Sequence, residues 1–236
     1  MFGTSVEGVG QVSSGIGYGN RKARSYRKRR PLPALVFFGV LGLVAMFIWV
    51  RAITSKADIN EALRCEPPPV PPAGMTYTNL DYNALDQTSP VPADRVAVRV
   101  LNASGKRGQA AITTEALRQL GFTQIADPEN DSAYAEEEAA CRGQLRFGDN
   151  GSSAARTLSL VVPCVELVRD DRQDASVDLA IGSAFGDVLP NQAARDVLAR
   201  LAAWSATQGD DGGEQSAVTP PPVDPELLTA ARPGTC

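Results

Sequence analysis

The sequence predicts an α/β (α+β) protein in which one transmembrane helix is followed by a small single-sheet domain of four or five strands with helices packed on it. Three features predict this fold class: an uncharged apolar stretch near the N-terminus, later segments in which apolar and polar residues alternate, and segments between them with apolar residues at helical spacing. The chain has 236 residues, and 43% of them are hydrophobic. This length allows one modest domain once the terminal segments are set aside.

The uncharged apolar stretch runs from Leu32 to Val50. As a helix it would be about 28 Å long, close to the thickness of a bilayer's hydrocarbon core. No small-residue cleavage site follows it, and Arg64 precedes Cys65 where a lipidation signal would place a small residue. We therefore expect residues 32–53 to form a transmembrane helix in contact with the lipid bilayer.

Positive charge is concentrated before this stretch. Residues 1–54 contain eight Lys and Arg residues and one acidic residue, whereas the whole chain has a net charge of −4. The positive-inside rule therefore predicts a single-pass protein of the cell membrane, with a cytoplasmic N-terminus and an extracytoplasmic C-terminal domain. A basic cluster can also bind nucleic acid, but its position beside an apolar span favours the membrane, so no nucleic-acid partner is expected.

Composition divides the chain into five segments. The stretch from Glu66 to Pro72 is rich in proline and predicts a stiff polyproline II spacer that lifts the domain off the membrane. The predicted segments are a disordered basic cytoplasmic segment (1–31), the transmembrane helix (32–53), a Pro-rich extracytoplasmic stem (54–93), the α/β domain (94–204) and an acidic Pro-rich tail (205–236).

The first half of the domain begins with a strand, since Val96, Val98 and Val100 occupy alternate positions. A loop then leads into a helix over about 107–120, which Gly121 ends. A second strand is predicted over 122–126. Residues 127–140 include six acidic residues and predict a solvated loop.

The second half repeats these patterns. Leu145 and Phe147 mark a short strand, and the helix after it is capped by Ser152 or Ser153 and ended by Pro163. Two more strands follow, the first marked by Val165 and Leu167 and the second by Val177, Leu179 and Ile181. Asn191 caps a last helix, in which the residues facing inward are Ala194, Val197, Leu198 and Leu201.

Short motifs in this domain resemble the LytR C-terminal (LytR_C) domain family over about residues 94–204. The resemblance is carried by Val98 to Gly105, by Gly108, Ala110, Ala111, Ala116 and Leu117, by Gly121 to Thr123, and by Asp178 to Gly182. The acidic insertion at 127–140 and the four cysteines depart from the wider family. With its span, proline spacer and cysteines, the whole chain resembles an actinobacterial envelope integrity protein.

The resemblance implies a non-catalytic, membrane-anchored cell-envelope protein that helps to maintain envelope integrity and the permeability barrier. In the wider family this domain often follows a phosphotransferase domain that attaches polymers to the cell wall. No such domain fits into this chain, so that activity is not carried over. An alternative is a membrane-anchored accessory or regulatory subunit that signals through its basic cytoplasmic segment.

Residue types argue against an enzyme. The chain has no histidine, which removes the commonest general base and a major metal ligand. Ser104 and Lys106 have the spacing S-x-K rather than the S-x-x-K of penicillin-binding enzymes. The cysteines form no Cys-x-x-Cys, which gives thiol–disulfide catalysis and a zinc site little support. No catalytic residue, metal or cofactor is expected.

The loop after the first strand is the candidate ligand-binding site. It comprises Asn102, Ser104, Gly105, Lys106, Arg107 and Gly108. Backbone N–H groups and two cations at a helix start can bind an anionic or polyhydroxylated cell-wall polymer. The alternative is that Asn102 and Ser104 only form the turn and cap the helix, with glycine supplying the backbone angles. The expected partners are a cell-wall polymer or envelope proteins.

Cys65, Cys141, Cys164 and Cys236 are expected to form two disulfides, since the domain is predicted to lie outside the cytoplasm. Four cysteines allow three connectivities. Cys141 and Cys164 each precede a predicted strand, with one helix between them. Their positions therefore favour the pairs Cys141–Cys164 and Cys65–Cys236.

Overall fold

The computed structural model describes residues 32–207, 223–232 and 236, without the side chains of 32–35 and 53–58. The predicted basic segment 1–31 and residues 208–222 and 233–235 of the predicted tail lie outside the described residues. The chain divides into two units, Met1–Phe47 and Ile48–Cys236.

The first helix, α1, spans Leu32–Leu63 and so continues ten residues past the end of the predicted transmembrane segment at 53. Its large apolar side chains between Val36 and Val50 are exposed. Within the described residues, no helix has both the length and the apolar character required to cross a membrane.

The second unit is built on one mixed sheet of six strands in the order β1-β5-β4-β6-β2-β3. Their bounds are β1 (Thr78–Leu80), β2 (Val98–Asn102), β3 (Glu129–Asn130), β4 (Gly143–Phe147), β5 (Glu166–Arg169) and β6 (Val177–Ile181). β2 runs parallel to β3 and β6, and β4 runs parallel to β5. β4 is antiparallel to β6, and β1 is antiparallel to β5.

The prediction of four or five strands was wrong because both edge strands were missed. β1 has three residues and β3 has two, so neither is long enough to show an alternating pattern. Residues 122–126, predicted as a strand, contribute an isolated bridge between Ile125 and Val98. The mixed α/β class and the other strands are confirmed.

Four helices follow α1: α2 (Gln109–Gln119), α3 (Ser152–Val161), α4 (Gln192–Thr207) and α5 (Pro225–Ala231). α2 contacts β2, and α3 contacts β4, while α4 and α5 pack against each other and against α3. Leu158 of α3 belongs to the main core with Val100, Leu145 and Leu179 of the strands. Leu160, two residues later, packs with α4 and α5. α3 is therefore buried between the sheet and an outer pair of helices.

The last helices show where the prediction of a tail from residue 205 needs correction. α4 continues to Thr207, and Asn191 caps it as predicted, with its Oδ1 accepting a hydrogen bond from the Ala194 N–H. α5 lies inside the predicted tail, and Asp224 caps it by accepting from the Glu226 N–H. The seven-residue α5 was missed because composition masked its apolar residues, Leu227 and Leu228, which pack against the α3–α4 surface.

The predicted stem and acidic loop also pack on the domain. In the stem, Cys65 is buried, and the Val70 N–H donates to the Ala133 carbonyl at 3.0 Å. In the acidic segment, Asp131 and Tyr134 are buried, so only part of 127–140 is solvated. The Pro-rich stretch therefore lies against the domain, where the sequence predicted a spacer.

The two disulfides are Cys65–Cys141 and Cys164–Cys236, so the predicted pairing was wrong. β4 and β5 are parallel neighbours, as that prediction assumed, with Gln144 opposite Glu166. Extending this register sets Cys164 opposite residue 142, one position from Cys141. A one-residue offset turns a side chain to the other face of a sheet. Cys141 therefore meets the stem, and Cys164 meets the C-terminal residue.

Candidate functional site

The predicted binding loop is a tightly bonded turn between β2 and α2. Asn102 Oδ1 accepts from the Ser104 backbone N–H at 3.1 Å and from its hydroxyl at 2.7 Å, and Asn102 Nδ2 donates to the Lys106 carbonyl. Lys106 Nζ donates to the Ser183 carbonyl at 2.7 Å. The residue before α2 is Gly108, and no side chain caps the helix there. Asn102 and Ser104 thus form the turn but do not cap the helix.

The loop faces the acidic segment across a cavity of about 440 Å³. Arg107, Glu136, Glu137 and Glu138 are among the residues that line the cavity. Gly105 has a φ of 68°, and a Cβ at this position would lie 1.8 Å from a Glu138 carboxylate oxygen. An anionic polymer entering here would meet three carboxylates and the single exposed guanidinium of Arg107, since Lys106 already binds a carbonyl.

A second polar region lies on the sheet face opposite the main core, with Arg146 of β4 at its centre. Arg146 Nη1 and Nη2 donate to the two Asp131 carboxylate oxygens at 3.0 and 2.7 Å, and both side chains are 1% exposed. Arg146 Nε and Nη2 also donate to Gln144 Oε1. The rings of Tyr77 and Tyr134 lie 5.1 and 5.7 Å from the guanidinium carbon. Arg146 is therefore fixed by a paired carboxylate, an amide and two aromatic rings.

Asp178 of β6 organises the neighbouring group on the same face. It stands opposite Arg99 of β2 and opposite Arg146 of β4 in the strand register. Arg99 Nε and Nη2 donate to its two oxygens at 3.0 and 2.9 Å. Arg172 Nη2 donates to Asp178 and to Asp170, each at 2.7 Å. This group holds its carboxylates and guanidiniums in fixed positions.

An open cavity of about 470 Å³ lies over these two groups. The side chains that matter for its chemistry are Arg99, Arg146, Arg172, Asp131, Asp174, Asp178, Tyr77 and Met75. Three arginines and three aspartates balance in charge, so the cavity offers oriented donors and acceptors without net charge. We call this cavity with its lining the polar-face cavity.

The protonation of these groups follows from burial and pairing. Burial alone would raise the pKa of the Asp178 carboxyl, but hydrogen bonds from Arg172 and Arg99 outweigh it and hold that pKa below its ordinary value. Burial raises the pKa of Glu166 by more than its hydrogen bonds from Gln144 and the Cys65 N–H lower it. Burial likewise raises the pKa of Tyr77, so its hydroxyl remains protonated at neutral pH.

The polar side chains of this cavity are held in place by one another. Across residues 32–207, 223–232 and 236, no group of three or more His, Cys, Asp or Glu side chains is placed to hold a metal ion. The four cysteines are all in disulfides. Arginine–carboxylate pairs hold each other in place by strong, directional hydrogen bonds, and so present fixed polar atoms to a ligand.

Sequence reasoning missed the residues of the polar-face cavity. The signal was available, since Arg99, Arg146 and Asp178 each stand between two apolar strand residues. Period-2 alternation places all such residues on the face opposite the core. Asp131 and Arg172 lie outside the strands, so only the fold brings them to this face.

Comparison with known proteins relates the whole chain to envelope proteins. The family model LytR_C, described as "LytR cell envelope-related transcriptional attenuator", matches residues 95–185. The cell envelope integrity protein Cei of Mycobacterium tuberculosis is 39% identical over 232 residues, which cover 97% of this chain and 100% of Cei. The chain belongs to the LytR_C-domain family that includes Cei. The family resemblance predicted from short motifs is thereby confirmed, and the family model covers residues 95–185 of the predicted 94–204.

The LytR_C region contains every arginine and aspartate of the polar-face cavity, since all of them lie between residues 95 and 185.

A solved structure supports the fold of this LytR_C protein. The soluble domain of a conserved hypothetical secreted protein from Mycobacterium marinum matches with a TM-score of 0.56 and 36% identity. The match covers 67% of this chain and 97% of that domain.

Proposed function

We propose that this chain is a non-catalytic, membrane-anchored cell-envelope protein whose extracytoplasmic domain helps to maintain envelope integrity and the permeability barrier by binding a cell-wall polymer or an envelope partner. The name of its relative Cei, a cell envelope integrity protein, supports the envelope role. Two disulfides support a location outside the cytoplasm, because disulfides persist in oxidising compartments.

Membrane anchoring is supported by the sequence. Leu32 to Val50 carries no charge, and the basic cluster before it favours a cytoplasmic N-terminus. Reporter fusions test the topology, one after residue 20 and one after residue 236. The proposal expects a periplasm-active reporter to work only at the C-terminal site. Activity at residue 20 would overturn the topology.

The polar-face cavity is the observation that carries the binding proposal. Its balanced charges favour a neutral, polyhydroxylated polymer over a strongly anionic one, because hydroxyl groups can both donate to its aspartates and accept from its arginines. The ring of Tyr77 and the side chain of Met75 provide apolar surface for the C–H face of a sugar. The 102–108 loop is the second candidate, which Arg107 favours and the three facing glutamates oppose.

Retention of a soluble 64–236 fragment, which keeps both disulfides, on purified wall polymers separates the two candidates. Tyr77→Ala removes the aromatic surface of the cavity, and Arg99→Gln removes one of its donors. Lys106→Ala with Arg107→Ala alters the loop. We expect the cavity variants to lose retention and the loop variant to keep it. If only the loop variant loses retention, the binding site would be assigned to the loop. Equal retention by all variants would contradict both candidates.

The alternative, an accessory or regulatory subunit, is favoured by the basic cluster at residues 21–30, which could contact a cytoplasmic partner. The main proposal expects envelope function to survive deletion of residues 1–20 when the basic cluster and the span are kept. Loss of envelope function in that deletion would favour signalling through the cytoplasmic segment.

A further inference from the structure

A buried pair of arginines, one inside the LytR_C region and one beyond it, lies outside the polar-face cavity. Arg156 is on α3, and Arg232 follows α5; both side chains are 2% exposed. Arg156 Nη1 lies 3.2 Å and Arg232 Nη1 lies 3.5 Å from the same oxygen, Asp86 Oδ1. The Asp86 side chain is 49% exposed.

The charges of this group do not balance. In the described part of the chain, Asp86 is the carboxylate that forms an ion pair with either arginine, so two buried cations share one anion. Removing a charge from water without a full partner is costly. The same penalty appears in the pKa values, since burial lowers the pKa of both arginines. The group therefore has one positive charge in excess.

Arg232 has two unused hydrogen-bond donors and also lines a cavity. Its Nε and Nη2 are buried and have no hydrogen-bond partner among the described residues. Nη1 donates to the Tyr82 carbonyl, and the guanidinium carbon lies 3.8 Å from the centre of the Tyr82 ring, which fixes the plane of the group. Arg232 lines a cavity of about 240 Å³ together with Ile59, Asn60, Tyr82, Asn83, Asp86 and Thr229.

Nε and Nη2 form one edge of a guanidinium, and their N–H bonds point the same way. This edge matches two oxygens of a phosphate or carboxylate, which is the geometry of bidentate oxyanion binding. We propose that this cavity binds a phosphate group that supplies the missing negative charge and, once the Arg232 side chain turns towards it, accepts from Nε and Nη2. The site is independent of the polar-face cavity and of the wall-polymer proposal.

Two sources can supply such a group. One is free phosphate or a soluble phosphate ester. The other is the headgroup of an anionic lipid, because Asn60 follows Val50 by ten residues in α1, about 15 Å along a helix. The lipid source alone rests on the proposed membrane anchoring.

The test uses the full chain in nonionic detergent without phospholipid. The melting temperature of the protein is measured at increasing concentrations of inorganic phosphate. Phosphate replaces chloride in the buffer, so that the ionic strength stays constant. Wild type should show a saturable rise. Asn83→Asp puts a carboxylate on the exposed lining and should weaken the apparent affinity about tenfold through charge repulsion. Arg118→Gln, an exposed change on α2, should behave as wild type.

Asp86→Asn gives the opposite change. It removes the shared carboxylate, so the melting temperature without phosphate should be lower than that of wild type. The variant should bind phosphate more tightly, and phosphate should raise its melting temperature by more. Adding phosphatidylglycerol to the same micelles, with phosphatidylcholine as the control, identifies the source. A rise with phosphatidylglycerol that Asn83→Asp abolishes assigns the headgroup, and a rise with phosphate alone assigns a soluble ligand. No saturable rise in wild type, or the same rise in all three variants, would overturn the proposal.

Discussion

The two faces of one sheet are built in opposite ways. On the first, Val100, Leu145 and Leu179 are buried under α2 and α3 in a continuous apolar core. On the second, Arg146 and Asp178 of the same strands are buried among other charged and polar side chains. The same two-residue alternation produces both faces, because successive strand residues point to opposite sides.

The two covers differ as much as the two faces. The helices α2 and α3 cover the apolar face. The polar face is covered at one end by the stem and the acidic segment, and a disulfide joins Cys65 of the stem to Cys141, the residue after that segment. A cover fastened by a few polar contacts and one disulfide leaves room for the polar-face cavity. The first face is thus closed by packing, and the second keeps an open polar cavity.

The largest expected effect comes from breaking the buried ion pair of the polar face. Arg146→Met should lower the free energy of unfolding by about 5 kcal/mol, the upper end for buried pairs, since Asp131 is left as a buried, uncompensated anion. Chemical denaturation measures this change. Arg169→Met, at a 40% exposed arginine of β5, is the control and should cost less than about 1 kcal/mol.

Restoring charge balance sharpens that result. Arg146→Met combined with Asp131→Asn should recover much of the loss, because no buried charge remains unpaired. If the double variant is as unstable as the single one, the loss of stability comes from packing around the long arginine side chain. The polar face would then be stabilised by packing, as the apolar face is.

The disulfides give the next largest effect. Replacing Cys65 and Cys141 together by Ala opens a ring of 76 residues, and the chain-entropy relation gives a loss of about 4 kcal/mol. Hydrogen exchange should rise in residues 64–77 and much less in α2 and α3. The matched control replaces Cys164 and Cys236, whose separation is 72 residues. Faster exchange should then appear around α5. Identical exchange patterns would mean that neither disulfide holds a particular face.

Truncation of a core leucine has a smaller effect. Leu179→Ala on the apolar face should cost about 3 kcal/mol, because it removes packed methyl groups and leaves a cavity. Leu101, on β2, lines the open polar-face cavity. Leu101→Ala should cost clearly less in the same denaturation experiment, since fewer contacts are lost. Equal losses would contradict the view that the polar face is loosely covered.

The apolar face could be read from the sequence, whereas only the strand residues of the polar face could. Val98, Val177 and Leu145 show their period locally, and that is enough to identify β2, β6 and β4. β1 and β3 depend on a neighbouring strand for their conformation, so their sequences carry no period. The pairing of Cys141 was missed for a related reason, because a one-residue offset in register decides which face a side chain occupies.

The candidate site shows the same limit. The sequence predicted a loop with cations at a helix start; the turn at Asn102 formed as expected, but the helix cap expected with it did not. The sequence could not show that Glu136, Glu137 and Glu138 face this loop, since that contact depends on tertiary structure. Nor could it bring Asp131 and Arg172 to the strand residues Arg146 and Asp178. Ligand binding at the loop stays a prediction.

Titration of the polar face gives smaller effects, and Asp178 provides the first. Its pKa is lowered in the folded protein from an ordinary value of 3.8. The unfolded state therefore binds more protons in acid, so this group adds stability above pH 3.8 that is lost as pH falls through the lower, folded pKa. Asp178→Asn should be less stable than wild type at pH 7, and the difference should shrink with acidification in denaturation curves. A difference independent of pH would show that the charge is not involved.

Glu166 should show the opposite sign on the same face and the smallest effect of the series. Burial raises its pKa above the ordinary 4.5, so the folded state binds more protons, and stability is lost as pH rises through the folded pKa. Glu166→Gln keeps an oxygen that can accept from the Cys65 N–H and from Gln144. The variant should therefore match wild type near pH 4 and become relatively more stable towards pH 7. If Glu166→Gln instead loses stability as pH rises, the carboxylate is stabilised by Arg146 or Arg64, and the charges of the polar face form a more favourable network than the burial of Glu166 indicates.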